Sequence, residues 1–389
     1  MARLALKVGL VLFLSVFLFG ASSEALNKDE ASVAPNTKGG KKWRIGYCES
    51  NRFVNYADHL YALVRGLTET GWIRGTEGFP YSPGQDDTGP MWQWLASHDL
   101  GPYIEFVGDA YYTYDGMNPD LRSITTGGIA ERLNDRRDID MMLVMGTVAG
   151  RLLATDAHNV PVMVFSTSNA VQAGIVKSAG VSGSQHVWAH MYPTRFRRQL
   201  EVFHDIFPFK KLGIVYEDSE AGRTLAALKE VEGVAADRGF DVVRCFVNDN
   251  QPDREAFFRE MLEAHRKLSR EVDAMYMTVY PGSRKFDMLP RLLEPFYQNS
   301  IPVFSQLKQE VQYGALISVA DSDFIGIGQF GAEAVARVLN GESTGGLPQV
   351  YESTPYIVLN LEVAKKIGYR PPFEILLVAD KIHREVESR

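Results

Sequence analysis

Small polar, acidic and tyrosine side chains recur at the ends of short apolar runs in this chain. Hydroxyl and amide groups at such positions suit an acceptor such as a carboxylate, because a helix that begins there presents unpaired backbone N–H donors. Carboxylates suit an ammonium group, and tyrosine rings offer a face for stacking or for a cation–π contact. The candidate ligand-binding residues are Ser50, Asn51, Thr147, Ser168, Asn169, Tyr216, Glu217, Tyr280 and Asp321.

These residues indicate binding rather than catalysis. The segment GTVAG at Gly146–Gly150 lacks the lysine that a phosphate-binding loop needs, and the sequence has no nucleophile-elbow motif. The eight histidines show no paired spacing of the kind that holds a metal ion. We therefore predict no enzymatic activity, no metal and no cofactor. An enzyme that pairs strand-end carboxylates for acid–base chemistry is the alternative.

The stretch Gly314–Val350 contains the kinds of element that must position these groups. An apolar run at Ala315–Val319 is typical of a buried strand, and it meets a polar break at Asp321. Apolar residues then recur at helical spacing over Ile325–Leu339, and Gly341 stands where a helix C-cap is expected. A strand, a polar turn and a helix form half of an α/β unit, which binds ligands at the carboxyl ends of its strands. The alternative is a solvated turn whose acids cap the helix.

The same alternation recurs on both sides of a Gly- and Ser-rich stretch at Ser178–His190. Runs that are apolar throughout predict parallel strands covered by helices on both faces, and the Gly- and Ser-rich stretch predicts a crossing into a second domain. With 389 residues, of which 45% are hydrophobic, the chain exceeds what one core usually serves. We therefore predict an α/β fold of two hinged lobes, with a cleft that faces strand ends from both. The predicted strands include Trp43–Tyr47, Met141–Met145, Val162–Phe165, Leu212–Tyr216, Asp241–Val247, Ala274–Val279 and Ile301–Phe304.

The segment from Gly78 to Pro119 interrupts this alternation. It is rich in glycine, proline and aromatic residues, and only Ile104–Val107 has the pattern of an ordinary strand. A long segment without regular periodicity inside a compact domain is usually functional or an inserted subdomain. Its aromatic rings could stack on a ligand, but packing in a local core is the interpretation that we favour.

The charge and the cysteine content exclude two classes of protein. The net charge of -7 argues against a nucleic-acid partner, because neutralising phosphates takes clustered lysine and arginine residues. Two cysteines, Cys48 and Cys245, are too few for a disulfide framework. Each lies in an apolar strand-like run, where a buried free thiol is commoner than a bridge between the two.

The first 25 residues are typical of a secretory signal peptide. Two basic residues precede an apolar core at Val8–Phe19, and small residues lead to a predicted cleavage site after Ala25. The apolar core is shorter than the roughly 20 residues of a membrane span, and an uncleaved anchor is the alternative. Residues 26–42 are polar and aperiodic, which predicts a flexible leader. We therefore expect an exported protein that works in the periplasm or elsewhere outside the cytoplasm.

Segments of the C-terminal half carry a resemblance to a known family, namely IPVFS at Ile301–Ser305, GALISV at Gly314–Val319, IGQFGAEAVARVLNGE at Ile327–Glu342, LPQV at Leu347–Val350 and IVLNLEVAKKIGYRPP at Ile357–Pro372. They resemble the ABC transporter substrate-binding proteins that include the tryptophan and tyrosine binders. Residues from Trp43 onward agree with this family, less closely in the first half. The resemblance implies a type I periplasmic binding protein fold, in which two Rossmann-like lobes with parallel sheets are joined by three crossings and close over a small ligand.

The resemblance also implies where each lobe begins and ends. We expect one lobe to contain residues 43–177 and about 321–360, with the insertion at 78–119. The other lobe would contain residues 178–320 and about 361–389. Asp321 would then lie on the hinge side of the cleft, so we rank it below Thr147 and Glu217 as a ligand contact.

Two departures from the family pattern lie near the predicted mouth of the cleft. One is the long insertion, and the other is Asn169–Ala170 after Ser168, where relatives tend to have Asp-Pro. The ligand therefore need not be the aromatic amino acid after which the relatives are named. The expected function is capture of a small polar or zwitterionic, amino-acid-like solute by a monomeric solute-binding protein, which delivers it to the membrane permease of an ABC transporter. The alternative is a solute-sensing subunit that docks on a membrane signalling receptor.

Overall fold

Two sheets carry the strands of the chain in a computed structural model that describes residues 33–248, 253–279, 288–321 and 324–387. The first sheet has the order β2-β1-β3-β4-β5, where β1 is Trp43–Glu49, β2 is Ile104–Thr113, β3 is Met141–Met145, β4 is Val162–Phe165 and β5 is Val187–Ala189. The second sheet has the order β12-β11-β10-β9-β8-β6-β7. Its strands are β6 (Lys211–Tyr216), β7 (Asp241–Phe246), β8 (Ala274–Met277), β9 (Val303–Ser305), β10 (Ile317–Asp321), β11 (Pro355–Asn360) and β12 (Lys381–His383).

The strand pairs are parallel, with one exception. β10 runs antiparallel to β11, and every other pair within the described residues is parallel. All five residues of β3, MMLVM, are buried, as expected for a strand in the middle of a covered sheet. The predicted α/β class with two mainly parallel sheets is confirmed. We call the body built on the first sheet lobe 1 and the body built on the second sheet lobe 2.

Helices connect these strands and supply the apolar faces that pack on them. Lobe 1 has α1 (Val54–Glu69), α2 (Gly89–Ser97), α3 (Pro119–Glu131) and α4 (Thr147–Leu153). Lobe 2 has α5 (Arg195–Ile206), α6 (Glu220–Leu225), α7 (Leu228–Arg238), α8 (Arg254–Leu268), α9 (Leu289–Gln298) and α10 (Lys308–Gln312). The later helices are α11 (Phe324–Leu339), α12 (Leu361–Lys366) and α13 (Phe373–Val378). In α1, Leu60, Leu63 and Leu67 share the buried face that the helical spacing predicts.

The chain passes between the lobes three times. It leaves lobe 1 after β5, returns from β10 into α11, and enters lobe 2 again before β11. The first and third passages run side by side, because Met191 N donates to Gln349 O at 2.7 Å and Tyr351 N donates to Met191 O at 3.1 Å. These paired segments form a short two-stranded connection between the lobes.

The sheets place the lobe boundaries differently from the sequence prediction. β5 lies beyond residue 177 but belongs to lobe 1, where Val187 pairs with Val162 of β4. β11 lies within the segment 321–360 but belongs to lobe 2, where Leu359 pairs with Ile317 of β10. Strand pairing with partners far along the chain decides both assignments, and local sequence patterns do not record it.

The insertion is more regular than its composition indicates. It contains α2, and β2 runs on to Thr113, so the expected irregular pattern was wrong there. Glycine, proline and aromatic residues obscured a helix whose Trp92 and Leu95 are buried in lobe 1. The interpretation of the aromatic rings as core is confirmed, since Trp92 and Tyr114 are buried in two core clusters of lobe 1 and the other rings pack against one or the other. Cys48 and Cys245 are both free and buried, as predicted.

Glycines allow α11 to lie almost in backbone contact with α1. A Cβ atom at Gly66 would lie 2.7 Å from the carbonyl oxygen of Gly328, and a Cβ atom at Gly328 would overlap the backbone of Ala62. Real Cβ atoms are not found so close to backbone, so a larger side chain at either position would force the helices apart. This packing fastens a helix from the late part of the chain to lobe 1.

Candidate ligand-binding cleft

A cavity of about 220 Å³ lies between the two lobes. Lobe 1 contributes the turns after β1, β3 and β4 and the first turn of α1, and lobe 2 contributes Arg195, Leu307 and Glu310 among others. The carboxyl ends of parallel strands meet at one edge of a sheet, which explains why turns far apart in the sequence converge here. Ser50, Asn51, Thr147 and Ser168 are the predicted residues that line this cavity.

Hydroxyl groups fasten the turns of lobe 1 to one another. Ser50 Oγ donates to Met145 O at 3.2 Å and accepts from Ala149 N at 2.9 Å, so it joins β1 to the turn between β3 and α4. Thr147 Oγ1 accepts from Ser168 N at 3.1 Å and joins that turn to the end of β4. These hydroxyls therefore hold the shape of the cavity wall as well as facing it.

A glycine places an aromatic ring in the same wall. Gly146 has a φ of 91°, and a Cβ atom there would overlap Tyr56 Oη. Tyr56 is buried, lines the cavity and packs edge-on against Phe53 with a ring distance of 5.3 Å. The missing side chain at Gly146 thus leaves room for the phenol of Tyr56.

The insertion reaches the cavity through Gly84 and Asp86. Its position there is held by Arg52, whose Nη2 lies 3.0 Å from Asp87 Oδ2 and whose Nε lies 4.0 Å from Asp115 Oδ2. Arg52 itself lines the cavity. The insertion is therefore part of the candidate site as well as a packing element.

Beside the cavity wall, Glu49 is a buried carboxyl group at the end of β1. It accepts hydrogen bonds from Tyr47 Oη at 2.9 Å, from Thr88 Oγ1 at 2.6 Å and from Tyr111 Oη at 3.2 Å. Burial raises the pKa of Glu49 to about 7, and the hydrogen bonds from these hydroxyls limit the rise. Thr88 and Tyr111 belong to the insertion, so this carboxyl group ties the insertion to β1.

Lobe 2 brings a cation and a second buried carboxyl group. The Arg195 guanidinium lies 4.2 Å from the centre of the Phe196 ring and lines the cavity. Glu310 is 2% exposed and accepts a hydrogen bond from Ser305 Oγ. Burial raises the pKa of Glu310 to about 8, so its neutral form predominates at neutral pH.

Other predicted residues lie elsewhere. Asn169 lines a neighbouring cavity of about 200 Å³ that shares Ser168 with the first. Tyr216 is buried in the core of lobe 2, with its ring 5.3 Å from Phe246, and neither Tyr216 nor Glu217 lines the cleft cavity. The ring of Tyr216 is used in the core and does not reach this cavity, which differs from the expectation for that residue.

Two further predictions fall outside what the structure describes. Tyr280 lies outside the described residues, and so do residues 1–32, which include the predicted signal peptide. Asp321 is the last residue of β10, but its side chain is not among the described parts. Sequence patterns missed Tyr56, Asp86, Arg195 and Glu310, of which only Asp86 lay in a segment already marked as unusual.

Metal ligands and membrane spans can be assessed over the described ranges. No group of three or more histidine, cysteine, aspartate or glutamate residues is placed there to hold a metal ion. Within the same ranges, every helix is too short or too polar to span a bilayer.

A comparison with family models decides the class of the protein. The model described as ABC transporter substrate binding protein matches residues 110–383, which is more than half of the chain. The chain belongs to this family. This substrate-binding protein is therefore a non-enzymatic solute-binding component of an ABC transporter, and the family works outside the cytoplasm. The expected resemblance, fold and absence of catalysis are confirmed.

This substrate-binding protein is similar to a protein named for tyrosine and to a structure solved with L-Trp. It is 22% identical over 245 residues to a tyrosine-binding protein of Clostridioides difficile (strain R20291), covering 62% of this chain and 67% of the relative. The solved ABC domain in complex with L-Trp from Streptococcus pneumonia is 18% identical with a TM-score of 0.63, covering 87% of this chain and 99% of that one. A conserved domain protein from Vibrio cholerae is 20% identical with a TM-score of 0.64, covering 88% and 100%. The two structural likenesses establish the shared fold.

Proposed function

We propose that this protein is exported by its N-terminal signal peptide, captures a small amino-acid-like solute between its lobes and delivers it to an ABC permease. The observation that carries the proposal is the cavity of about 220 Å³ whose wall comes from both lobes. Pockets for drug-sized ligands start at roughly 300 Å³, so this cavity suits a smaller solute. The relatives named for tyrosine and for L-Trp support an amino acid or a close analogue.

The contacts of the cavity support capture by closure of the lobes. A solute that contacts Thr147 and Ser168 of lobe 1 and Arg195 of lobe 2 at the same time stabilises the arrangement in which the two walls are close. The paired segments around Met191 and Tyr351 connect the lobes through few residues, which suits rotation about them. Closure would then give the permease a shape that differs between loaded and empty protein.

A thermal-shift screen tests capture directly. The mature protein is heated with each of the twenty amino acids, with nucleosides and with small organic acids in turn. A solute present at 100 times its Kd adds about 2.7 kcal/mol to the free energy of unfolding, so its midpoint rises clearly. We expect at least one amino-acid-like solute to do this. A midpoint that no solute raises would overturn the proposal.

A variant that fills the cavity is the matched control. Val148 lines the cavity and is half-buried, so Val148→Trp should occupy the space without disturbing a core. The variant should melt close to the parent without solute and should lose the solute-induced rise. A rise of the same size in both proteins would place the bound solute elsewhere.

A further inference from the structure

We propose that Asp86 binds the positively charged group of the solute, so that the ligands of this cleft are amines, with amino acids among them. The inference deepens the proposed function of the cleft and rests on it. Asp86 comes from the insertion 78–119, which adds it to the side of the cavity that lobe 1 forms with its strand-end turns and α1. The insertion thereby helps to determine which ligands bind.

Asp86 lines the cavity, and its carboxylate is not bound by any other described side chain. It is half-buried and makes no hydrogen bond or ion pair with any residue in the described ranges. The neighbouring cation, Arg52, lies between Asp87 at 3.0 Å and Asp115 at 4.0 Å. Two carboxylates of the insertion thus balance Arg52, and Asp86 remains as a third negative charge at the cavity.

Glu310, the other acidic residue of the cavity wall, is less suited to binding an ammonium group. Glu310 already accepts a hydrogen bond from Ser305, and burial raises its pKa to about 8. Its side chain is therefore mainly neutral at neutral pH, and a neutral carboxyl group attracts an ammonium group weakly. Asp86 is more exposed and provides the negative charge.

Two aromatic rings and an arginine of lobe 2 also affect which solutes the cavity favours. Phe53 and Tyr56 line the same cavity, and ring faces attract organic cations. Arg195 gives the cavity a positive side chain from lobe 2. A solute that carries both an ammonium group and a carboxylate can therefore contact Asp86 in lobe 1 and Arg195 in lobe 2 together.

Calorimetric titration with matched probes tests the role of Asp86. The probes are the twenty amino acids, the amines tyramine and tryptamine, and the deaminated acids 3-(4-hydroxyphenyl)propionate and indole-3-propionate. We expect amine-bearing probes to bind the parent protein, and the deaminated acid to bind at least tenfold more weakly than its amino acid. Asp86→Asn should weaken the amine-bearing probes by roughly tenfold to a hundredfold, the range for a charge-assisted hydrogen bond.

A second variant tests whether the lost negative charge must lie at the cavity to affect binding. Asp99→Asn removes the same charge from the insertion at a side chain that is 81% exposed and does not line the cavity, and it should leave binding unchanged. Equal affinities of Asp86→Asn and the parent would overturn the inference. Binding of a deaminated acid as tightly as the corresponding amino acid would also overturn the inference, while leaving capture by the cleft intact. Binding of no probe at all would contradict an amine ligand and, with a flat thermal screen, the proposed function itself.

Discussion

Asn169 Nδ2 donates a hydrogen bond to Glu230 Oε1 at 3.0 Å, and this bond joins the two lobes. Asn169 follows β4 of lobe 1, and Glu230 lies in the first turn of α7 of lobe 2. The other carboxylate oxygen, Glu230 Oε2, is buried and has no hydrogen-bond partner among the described residues. A buried oxygen of this kind is costly, so the bond to Asn169 matters for the present arrangement of the lobes.

Removing this bond should favour an open arrangement. Asn169→Ala removes the donor, and Asn169→Asp also places a second negative charge next to Glu230. Asn169→Asp retains the oxygen that accepts from Gln172 N at 3.0 Å, so local structure is preserved. We expect solute affinity to fall several-fold in the alanine variant, since one hydrogen bond is worth about 1 kcal/mol, and further in the aspartate variant. Small-angle X-ray scattering should show a larger radius of gyration for both, and identical radii in all three proteins would contradict the expectation.

Gly146→Ala should destabilise lobe 1. The new Cβ atom would overlap Tyr56 Oη, and the φ of 91° is unfavourable for alanine. We expect the free energy of unfolding to fall by roughly 2–4 kcal/mol in urea titrations. The double variant Gly146→Ala with Tyr56→Phe removes the overlapping oxygen and should recover part of this loss. A double variant that is no more stable than Gly146→Ala would show that the hydroxyl of Tyr56 does not account for the loss, and would leave it to the positive φ and to Ser50 Oγ, which the new Cβ atom would approach to 2.6 Å.

The stability of the protein should fall as pH rises through the range in which Glu49 ionises. Its pKa is about 4.5 in the unfolded chain and about 7 in the folded protein, because burial favours the neutral form. The folded state therefore holds the proton more tightly, and the contribution is complete below pH 4.5 and lost between pH 4.5 and pH 7. The size is roughly 3 kcal/mol.

Glu49→Gln is the variant that isolates this contribution. It keeps an acceptor for Thr88 and Tyr111 but does not ionise, so its unfolding free energy should fall less between pH 5 and pH 7.5. Part of the decline should remain, because burial also raises the pKa of Glu310, to about 8. Urea titrations at the two pH values measure both proteins. Equal declines in parent and variant would show that Glu49 does not contribute.

Arg52→Ala should affect binding more than stability. The side chains of Arg52 and Asp87 are 53% and 37% exposed, and ion pairs of that exposure contribute at most about 1 kcal/mol. Loss of Arg52 should nevertheless free the turn that carries Asp86, and solute affinity should fall by about tenfold. Arg65→Ala removes another exposed ion pair, with Glu69 at 3.4 Å, and does not touch the cavity. Calorimetry should find parent-like affinity for Arg65→Ala, and an equal loss in both variants would contradict the anchoring role of Arg52.

Local sequence patterns predicted the strands of the sheets and the turns that follow them. β3 and β4 have the predicted bounds because each is apolar from end to end, and Ser50, Thr147 and Ser168 line the cavity because they lie in the turns after strands. Tyr216 is the last residue of β6 and is buried in the core of lobe 2. A strand-end pattern does not record whether a particular turn faces the other lobe.

The remaining site residues depend on contacts between distant parts of the chain. Asp86 reaches the cavity because Arg52 and Glu49 hold the insertion against β1. Arg195 reaches it because the chain has just crossed into lobe 2, and no periodicity marks that position. α6 and α7 are separate helices because Ala227 between them adopts a φ of 51°, which the neighbouring residues do not signal.

The close packing of α11 on α1 has a consequence for the order of folding. A chain is synthesised from its N-terminus, so most of lobe 2 is made before Gly328 can meet Ala62 and Gly66. Until then the apolar face of α1 is uncovered, and the contacts that close it span most of the chain. Such long-range contacts form slowly and leave incomplete domains prone to aggregation. Lobe 1 therefore begins first along the chain but completes its core only after most of lobe 2 is present.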